Sequence, residues 1–495
     1  MLSSLELSLK AASPRYSPPP TPVRAMIIHG SVMMLWGVLF VMAFRYNGVL
    51  AWSTGIAYVV YDTVLLMFVF WQTLQLARLP PGLLDVSHAA RQSDAPATRA
   101  TLGVIVAAHN EAAVLPITLG ALLSQRDAPD LIVIADDGST DGTVDVLRLE
   151  YGLCAPALGK LSAFNPAYPT LRWLRLPHGG KARALNEAIV QMDAEIVLTV
   201  DGDTLLELGA IGAVRAAFSN EPALVAATGV LAPVCSNSLS GRLFQWFQTY
   251  EYIRNFLSRY AWMRVNSLLL ISGAFAGFRR SALVEVGGFD ADCLVEDYEL
   301  IHRLRRFGTL NQRDWTTRVL GNARARTEAP GTIGAFLRQR RRWFGGFLQT
   351  QFWYRDMVGD RRHGWLGLAM LPVKAVDTLQ PLYGLTAFFL LVYYALNGSL
   401  GVLGPVALVI GGKIVIDLVF HLWSVHLYRR WAQSAPGVES GTPRADFGLA
   451  FLAAVLEPFT FQLLRHLGAA WGWLYFLTGA RQWGKQSRGG LRPPP

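Results

Sequence analysis

Val197-Leu198-Thr199-Val200-Asp201-Gly202-Asp203 decides the fold. An apolar, β-branched run that ends in two carboxylates reads as a buried parallel strand running into a loop. Carboxylates at the C-terminal end of such a strand stand at the crevice where open α/β sheets bind ligands. Hard oxygen ligands suit a divalent cation such as Mg2+, commonly shared between one or two carboxylates and substrate phosphates. Asp-Gly is also an ordinary turn dipeptide, so the flanking sequence carries the decision.

Upstream, Leu102–Ala107 reads as a first strand, closed by His109-Asn110-Glu111 and followed by helical periodicity over Ala112–Leu123. Leu131–Ala135 is a second strand entering Asp136-Asp137-Gly138-Ser139-Thr140-Asp141-Gly142, where Ser139 or Thr140 is expected to cap a helix starting near Thr143. Leu171–Leu176 is a third strand, and His178-Gly179-Gly180-Lys181-Ala182-Arg183-Ala184-Leu185-Asn186-Glu187 leads into a helix. This alternation predicts a largely parallel sheet with helices on both faces. Asp136, Asp137, Asp201 and Asp203 at strand ends, with Lys181 beside two glycines, are equipment for a nucleoside diphosphate and its metal. The GxxxxGK[ST] spacing of a P-loop is absent, and no GxGxxG follows the first strand.

Downstream, Ile271–Arg280 is small and apolar between aromatics, and around Gly273 it offers either simple packing or a smooth floor for a sugar acceptor. Val295-Glu296-Asp297-Tyr298-Glu299-Leu300 opens a helix. Acids in its first turn either answer the helix dipole or supply a general base. Gln339-Arg340-Arg341-Arg342-Trp343 either touches anionic lipid or grips a diphosphate and stacks on a sugar.

The composition fits a membrane protein: 52% of the 495 residues are hydrophobic and 16% charged, against about a quarter charged in soluble domains. Residues 1–25, rich in Pro and Ser, read as a disordered tail. Met26–Phe44 and Leu50–Trp71 read as two spans within 26–73, and 74–100 as a polar linker. Lys10, Arg15 and Arg24 before the first span, with Arg45 after it, place the N-terminus and the central domain in the cytoplasm. Residues 336–365 read as interfacial helices and 366–480 as a second membrane region, with spans at Pro372–Leu396 and Leu400–Trp423. Phe447–Gly479 is too long for one upright span, and basic residues flank it on both sides, Arg429, Arg430 and Arg444 before it and the tail 481–495 after it. A short or re-entrant hairpin turning near Arg465-His466-Leu467-Gly468 is therefore expected, with one long tilted span and the basic tail outside as the alternative. The charges within apolar stretches, Lys374, Asp377, Lys413, Asp417, Glu457 and Arg465, suggest a polar track; self-neutralising pairs on one helix face are the simpler alternative. The net charge of +10 sits beside the spans, where lipid explains it, so no nucleic-acid partner is expected. Cys154, Cys235 and Cys293 have no paired spacing, which gives neither a disulfide framework nor a zinc site.

Asp-Asp-Gly-Ser-Thr-Asp-Gly (136–142), Gly-Lys-Ala-Arg-Ala-Leu-Asn (180–186), Asp-Gly-Asp (201–203), Glu-Asp (296–297) and Gln-x-x-Arg-Trp (339–343) stand in the order found in family 2 glycosyltransferases. With spans on both sides, the chain resembles the processive branch: cellulose, hyaluronan, chitin-oligosaccharide and poly-N-acetylglucosamine synthases. The resemblance implies a GT-A fold over 101–335, a Rossmann-like α/β domain inserted between transmembrane helices. It implies a UDP-sugar donor, with glucose or N-acetylglucosamine as the leading sugars, and a glycan acceptor at an inner-membrane, multi-pass enzyme. Accessory export subunits would fit the same picture. By this likeness Asp136 or Asp137 holds the uracil-ribose, Lys181 approaches the phosphates, Asp203 helped by Asp201 binds Mg2+ or Mn2+, and Asp297 is the general base. Glu296, Gln339, Arg342 and Trp343 would then hold the acceptor end and the diphosphate. The reading this implies is inverting, metal-dependent extension of a β-linked polysaccharide. The alternatives are a single sugar addition to a lipid or lipid-linked acceptor, and a transport or binding protein with a degenerate transferase domain.

Overall fold

A computed structural model describes residues 2–78, 99–431 and 446–479 of the chain. Most of the expected linker, Arg444 and the basic tail at 481–495 lie outside the described residues. Eight strands form one sheet: β1 (Leu102–Ala108), β2 (Leu131–Asp137), β3 (Leu171–Leu176), β4 (Ile196–Asp201), β5 (Thr204–Leu206), β6 (Leu224–Val234), β7 (Phe275–Arg279) and β8 (Thr316–Glu328). Their order is β3-β2-β1-β4-β7-β6-β8-β5.

β3, β2, β1 and β4 are parallel, as alternating strands and helices require. Each strand is apolar on both faces. Ile105, Val133 and Val197 enter one core with Leu185, Ala188 and Ile189 of the helix Lys181–Gln191. Their neighbours Val104, Ile132 and Leu198 enter the other with Leu115, Leu119 and Leu122 of the helix Leu115–Leu123. β6 and β8 also run parallel, whereas β7 runs antiparallel to β4 and β6, and β5 antiparallel to β8, so the sheet is mixed with parallel pairings in the majority, as expected. In sequence, the strand-helix rhythm ends after β4, and the long helix Leu239–Arg264 separates β6 from β7. The register pairs Ala107 with both Ala135 and Asp201, bringing the acidic ends of β2 and β4 to one edge on either side of β1.

Among the described residues, four helical stretches are long and apolar enough to cross a membrane: Val23–Met42, Gly48–Arg78, Leu366–Leu396 and Leu400–Trp431. The second continues past Trp71 to Arg78, into the segment read as linker. A further pair, Phe447–Phe459 and Phe461–Leu477, is bent by 48°.

Three expectations need correction. The bend falls at Glu457–Thr460, not at 465–468, because Pro458 has no N–H to continue the helix. Gly468 instead lies inside a helix, where an added Cβ would come 2.6 Å from Arg340 Cβ, so it lets two helices approach rather than turning the chain. Neither Ser139 nor Thr140 caps the helix Thr143–Leu149; Asp141 accepts from Thr143 N at 2.9 Å. Finally, the segment 1–25, expected to be a disordered tail, is ordered over its described residues, from 2 onward. Leu2–Ala12 is a helix that buries Leu5, Leu9 and Ala12. Leu5, Leu9 and Ala12 recur at helical spacing, and burying that stripe offsets the cost of ordering it.

Arg215 ties the start of β1 to the loop before β2. Its guanidinium donates to Asp127 (2.7 Å), Asp130 (2.6 Å) and the carbonyls of Ala100 (2.8 Å) and Ala128 (2.7 Å). With both carboxylates about a third exposed, Arg215→Ala should destabilise the domain by about 2 kcal/mol, the scale of a lost charged hydrogen-bond cluster at a half-wet site. Thermal melting in detergent would show this as a lower midpoint.

Candidate functional site

At the acidic sheet edge, Lys181 is the first residue of its helix, after Gly180 in a left-handed conformation (φ 93°). Asp137, at the end of β2, accepts from Gly179 N (2.7 Å) and Gly180 N (2.9 Å), which fixes that loop. Lys181 Nζ touches the Asp201 carboxylate, lies 3.8 Å from Glu296 Oε1 and donates to the Gly273 carbonyl at 3.4 Å. Burial alone would lower the Lys181 pKa; Asp201 and Glu296 outweigh it and raise the ammonium above its ordinary range.

Asp203 is buried at 7% exposure. Burial, then the nearby Asp201 and Glu328 carboxylates, push its pKa up to about 7. Glu296 is buried too and raised by desolvation, with Lys181 opposing and Asp297 adding to the shift. Asp201, Asp203 and Glu328 thus form a crowded set of hard oxygens around the buried Asp203. That donor chemistry fits Mg2+ or Mn2+.

Asp297 is the second residue of the helix Glu296–Leu310. Its Oδ2 accepts from Gly273 N at 2.7 Å and its Oδ1 from Tyr298 N at 2.8 Å. A Cβ on residue 273 would stand 3.0 Å from Asp297 Oδ2, so glycine there allows the backbone to hold the carboxylate. Gln339, Arg342 and Trp343 come from the helix Ile333–Trp353. Arg342 donates to the Leu294 carbonyl at 3.2 Å, two residues before Glu296. Gln339 Oε1 is buried with no hydrogen-bond partner among the described residues, and Arg340 lies over the Trp343 ring at 4.5 Å while pairing with Glu251 at 2.7 Å.

Asp137, Lys181, Asp201, Asp203, Gly273, Glu296, Asp297, Gln339, Arg342 and Trp343 all line one cavity of about 1350 Å³. Asp136 does not. It is buried, with its carboxylate accepting from Ser139 N (3.0 Å) and Trp173 Nε1 (3.3 Å), so it holds the turn and leaves the cavity to Asp137. Sequence reasoning missed Glu328, whose N–H donates to the Asp203 carbonyl at 3.2 Å, and Arg259, which lines the cavity and feels the Asp297 charge. No local motif marks either residue. His109 and His178 stack at 4.3 Å beside Asp137, and the three offer ligand atoms within 4.8 Å of one another. They are a second group that could hold a metal, although both Nδ1 atoms lie within hydrogen-bond distance of the Asp137 carbonyl.

Residues 103–287 match the family described as Glycosyl transferase family 2, and residues 196–403 that described as Glycosyl transferase family group 2. The chain is 30% identical over 257 residues to a poly-beta-1,6-N-acetyl-D-glucosamine synthase of Staphylococcus epidermidis, covering 51% of this chain and 56% of the relative. It is 28% identical over 245 residues to the Staphylococcus aureus protein of that name, covering 49% and 53%. The matched stretch thus spans little more than half of these relatives' length. Among solved structures, a mannosyltransferase of Pyrobaculum calidifontis in complex with GDP-Man and Mn2+ superposes with a TM-score of 0.48 at 20% identity, over 80% of this chain and 99% of that one.

Divalent-metal binding at Asp203 requires its proton to leave. Mn2+ affinity, measured by calorimetry, should therefore fall about tenfold per pH unit below pH 7 and level off above it. Asp203→Asn should bind weakly at every pH.

Proposed function

Because the chain carries a family 2 glycosyltransferase domain, we propose that it is a membrane-embedded, inverting, metal-dependent polysaccharide synthase. It takes a UDP-sugar at the cytosolic face, extends a β-linked glycan and passes the product into the membrane. N-acetylglucosamine is the favoured sugar, because both staphylococcal relatives are named as poly-N-acetylglucosamine synthases. The single observation that carries the reading is the continuity of the cavity. It holds Asp203, Asp297 and Arg342 and extends past Lys413, Asp417 and Leu391 to Trp52, among the apolar helices. One space therefore serves donor, acceptor and growing product.

In this reading Asp297 takes the proton from the acceptor hydroxyl. The hydroxyl oxygen forms a bond to the anomeric carbon, and the bond from that carbon to the diphosphate breaks on the opposite side. The electron pair leaves with the nucleoside diphosphate, so configuration inverts. The Gly273 and Tyr298 N–H groups keep the Asp297 carboxylate aimed. Lys181 and Arg342 place positive charge where the diphosphate gains negative charge. Asp203 and Asp201 would hold a divalent cation, which supplies further charge to the leaving group. A single acid-base carboxylate suffices because a departing diphosphate needs no proton, in contrast to paired-carboxylate glycosidases.

Purified protein in lipid, supplied with radiolabelled UDP-N-acetylglucosamine and Mg2+ or Mn2+, should make long product on a sizing column. A single-sugar product would instead favour a lipid-linked acceptor. Asp297→Asn should cut transfer by at least about 100-fold, the usual worth of a positioned general base. Neutralising Lys413 and Asp417 together should reduce exported polymer more than donor turnover; equal loss of both would remove the export part of the reading.

A further inference from the structure

Residues 2–24 form a strap that runs under the catalytic loop before entering the first membrane helix. The helix Leu2–Ala12 lies directly on the turn at Gly287: a Cβ there would meet Leu9 N at 2.2 Å and Leu5 O at 2.6 Å. Gly287 also has a φ of +89°, so its bare, left-handed backbone is what admits the helix. Just past the helix, Arg15 Nη1 stands 2.7 Å from both carboxylate oxygens of Asp290, and its Nη2 touches Asp292. The guanidinium lies over the rings of Tyr16 (4.8 Å) and Trp353 (5.2 Å). Asp290 is buried, and besides Arg15 it accepts from Asp292 N at 3.0 Å. The loop it organises runs to Leu294, whose carbonyl receives Arg342, and then to Glu296 and Asp297. Beyond Arg15 the strap stays fastened. Arg355 donates to Thr21 Oγ1 at 2.6 Å, and Arg24 pairs with Asp360 at 2.9 Å, both partners following the helix that carries Gln339, Arg342 and Trp343.

We infer that Arg15 is a positioning residue for the transfer reaction. It clamps the Asp290–Asp292 turn from outside, and so sets where the loop delivers Asp297 relative to Arg342. A planar, forked cation offers a separate nitrogen to each carboxylate while its face lies over the two rings, which an ammonium does not, so lysine is an incomplete substitute. The inference rests on Asp297 being the base, as proposed above.

The test uses full-length protein in lipid nanodiscs and the UDP-sugar that the wild type turns over. Arg15→Ala should lower kcat about tenfold, within what a small misplacement of a catalytic group costs, with the donor KM changed less than about twofold, in protein that a melting curve shows to be folded at the assay temperature. Arg15→Lys should recover part of kcat. Asp290→Asn should give a similar loss, and the double variant should be no worse than either single one, because both cut one link. A wild-type kcat in Arg15→Ala overturns the inference. So does a loss of kcat that tracks loss of folded protein, or losses that multiply in the double variant. Asp297→Asn is run alongside: near-wild-type transfer there overturns the assignment of the base, whereas an Asp297→Asn cut by at least about 100-fold beside a fully active Arg15→Ala overturns only the role of Arg15.

Discussion

The structure depends on one half-buried ammonium. Lys181 Nζ stands among Asp201 from β4, Glu296 from the helix Glu296–Leu310 and the carbonyl of Gly273 just before β7. These groups come from separate parts of the chain and would repel one another if brought together without a cation. Burying charge costs several kcal/mol per ion unless a partner and hydrogen bonds offset it. Here the partner is the first residue of a helix whose entry loop is fixed by Asp137. The mixed sheet follows the same need. Parallel strands bring Asp137 and Asp201 to one edge, and antiparallel β7 starts from that edge, so Gly273 can reach both Lys181 and Asp297. Asp203, Asp201 and Glu328 still crowd the pocket, and that crowding is chemistry a divalent cation relieves.

The membrane half obeys the same rule with a different outcome. Lys413 bonds Asp417 on its own helix and reaches Asp62 on another at 2.7 Å. Lys374 pairs with Asp377 at 2.6 Å, and Asp377 also accepts from Tyr61 at 2.5 Å. Arg254 meets Glu457 at 2.5 Å, and Arg465 lies between Glu457 and Glu251. Charge in a low-dielectric setting is tolerated because each of these groups has an opposite partner. Lys374–Asp377 and Lys413–Asp417 are the same-helix pairs that their spacing allows, and Asp62, Tyr61 and Arg254 add links to other helices, so the charges also join the bundle. Under the proposed function, a lining of neutralised pairs offers donors and acceptors to sugar hydroxyls without a net charge to trap the product.

What could be read from sequence was what one element fixes by itself. The apolar runs of β1 to β4 announce buried strands, and the paired acids at 201–203 and 296–297 reach the cavity because their spacing lies within one strand end or one helical turn. The Gln339, Arg342 and Trp343 spacing places all three on a helix wall of the same cavity. Asp136 against Asp137 was not legible, because successive residues of a strand point to opposite faces. Which face held the cavity depended on Trp173 in β3, whose ring nitrogen takes the Asp136 carboxylate. Glu328 was hidden for a related reason: β8 reaches Asp203 through β5 and the register between them.

The N-terminal strap shows where composition misleads. Pro18, Pro19 and Pro20, with the serines before them, look like solvated chain, and a count of residue types contains nothing to set against that. The ordering comes from outside the segment, from Asp290 lying 275 residues away and from a glycine turn shaped to receive Leu9. Each contact alone is weak. Together they bury an apolar stripe and a forked guanidinium bound to a buried carboxylate, which is enough to order a short helix that would not hold its shape in water. A segment of this kind is legible only once its partner surface is known, because half of its folding information is written in the catalytic domain.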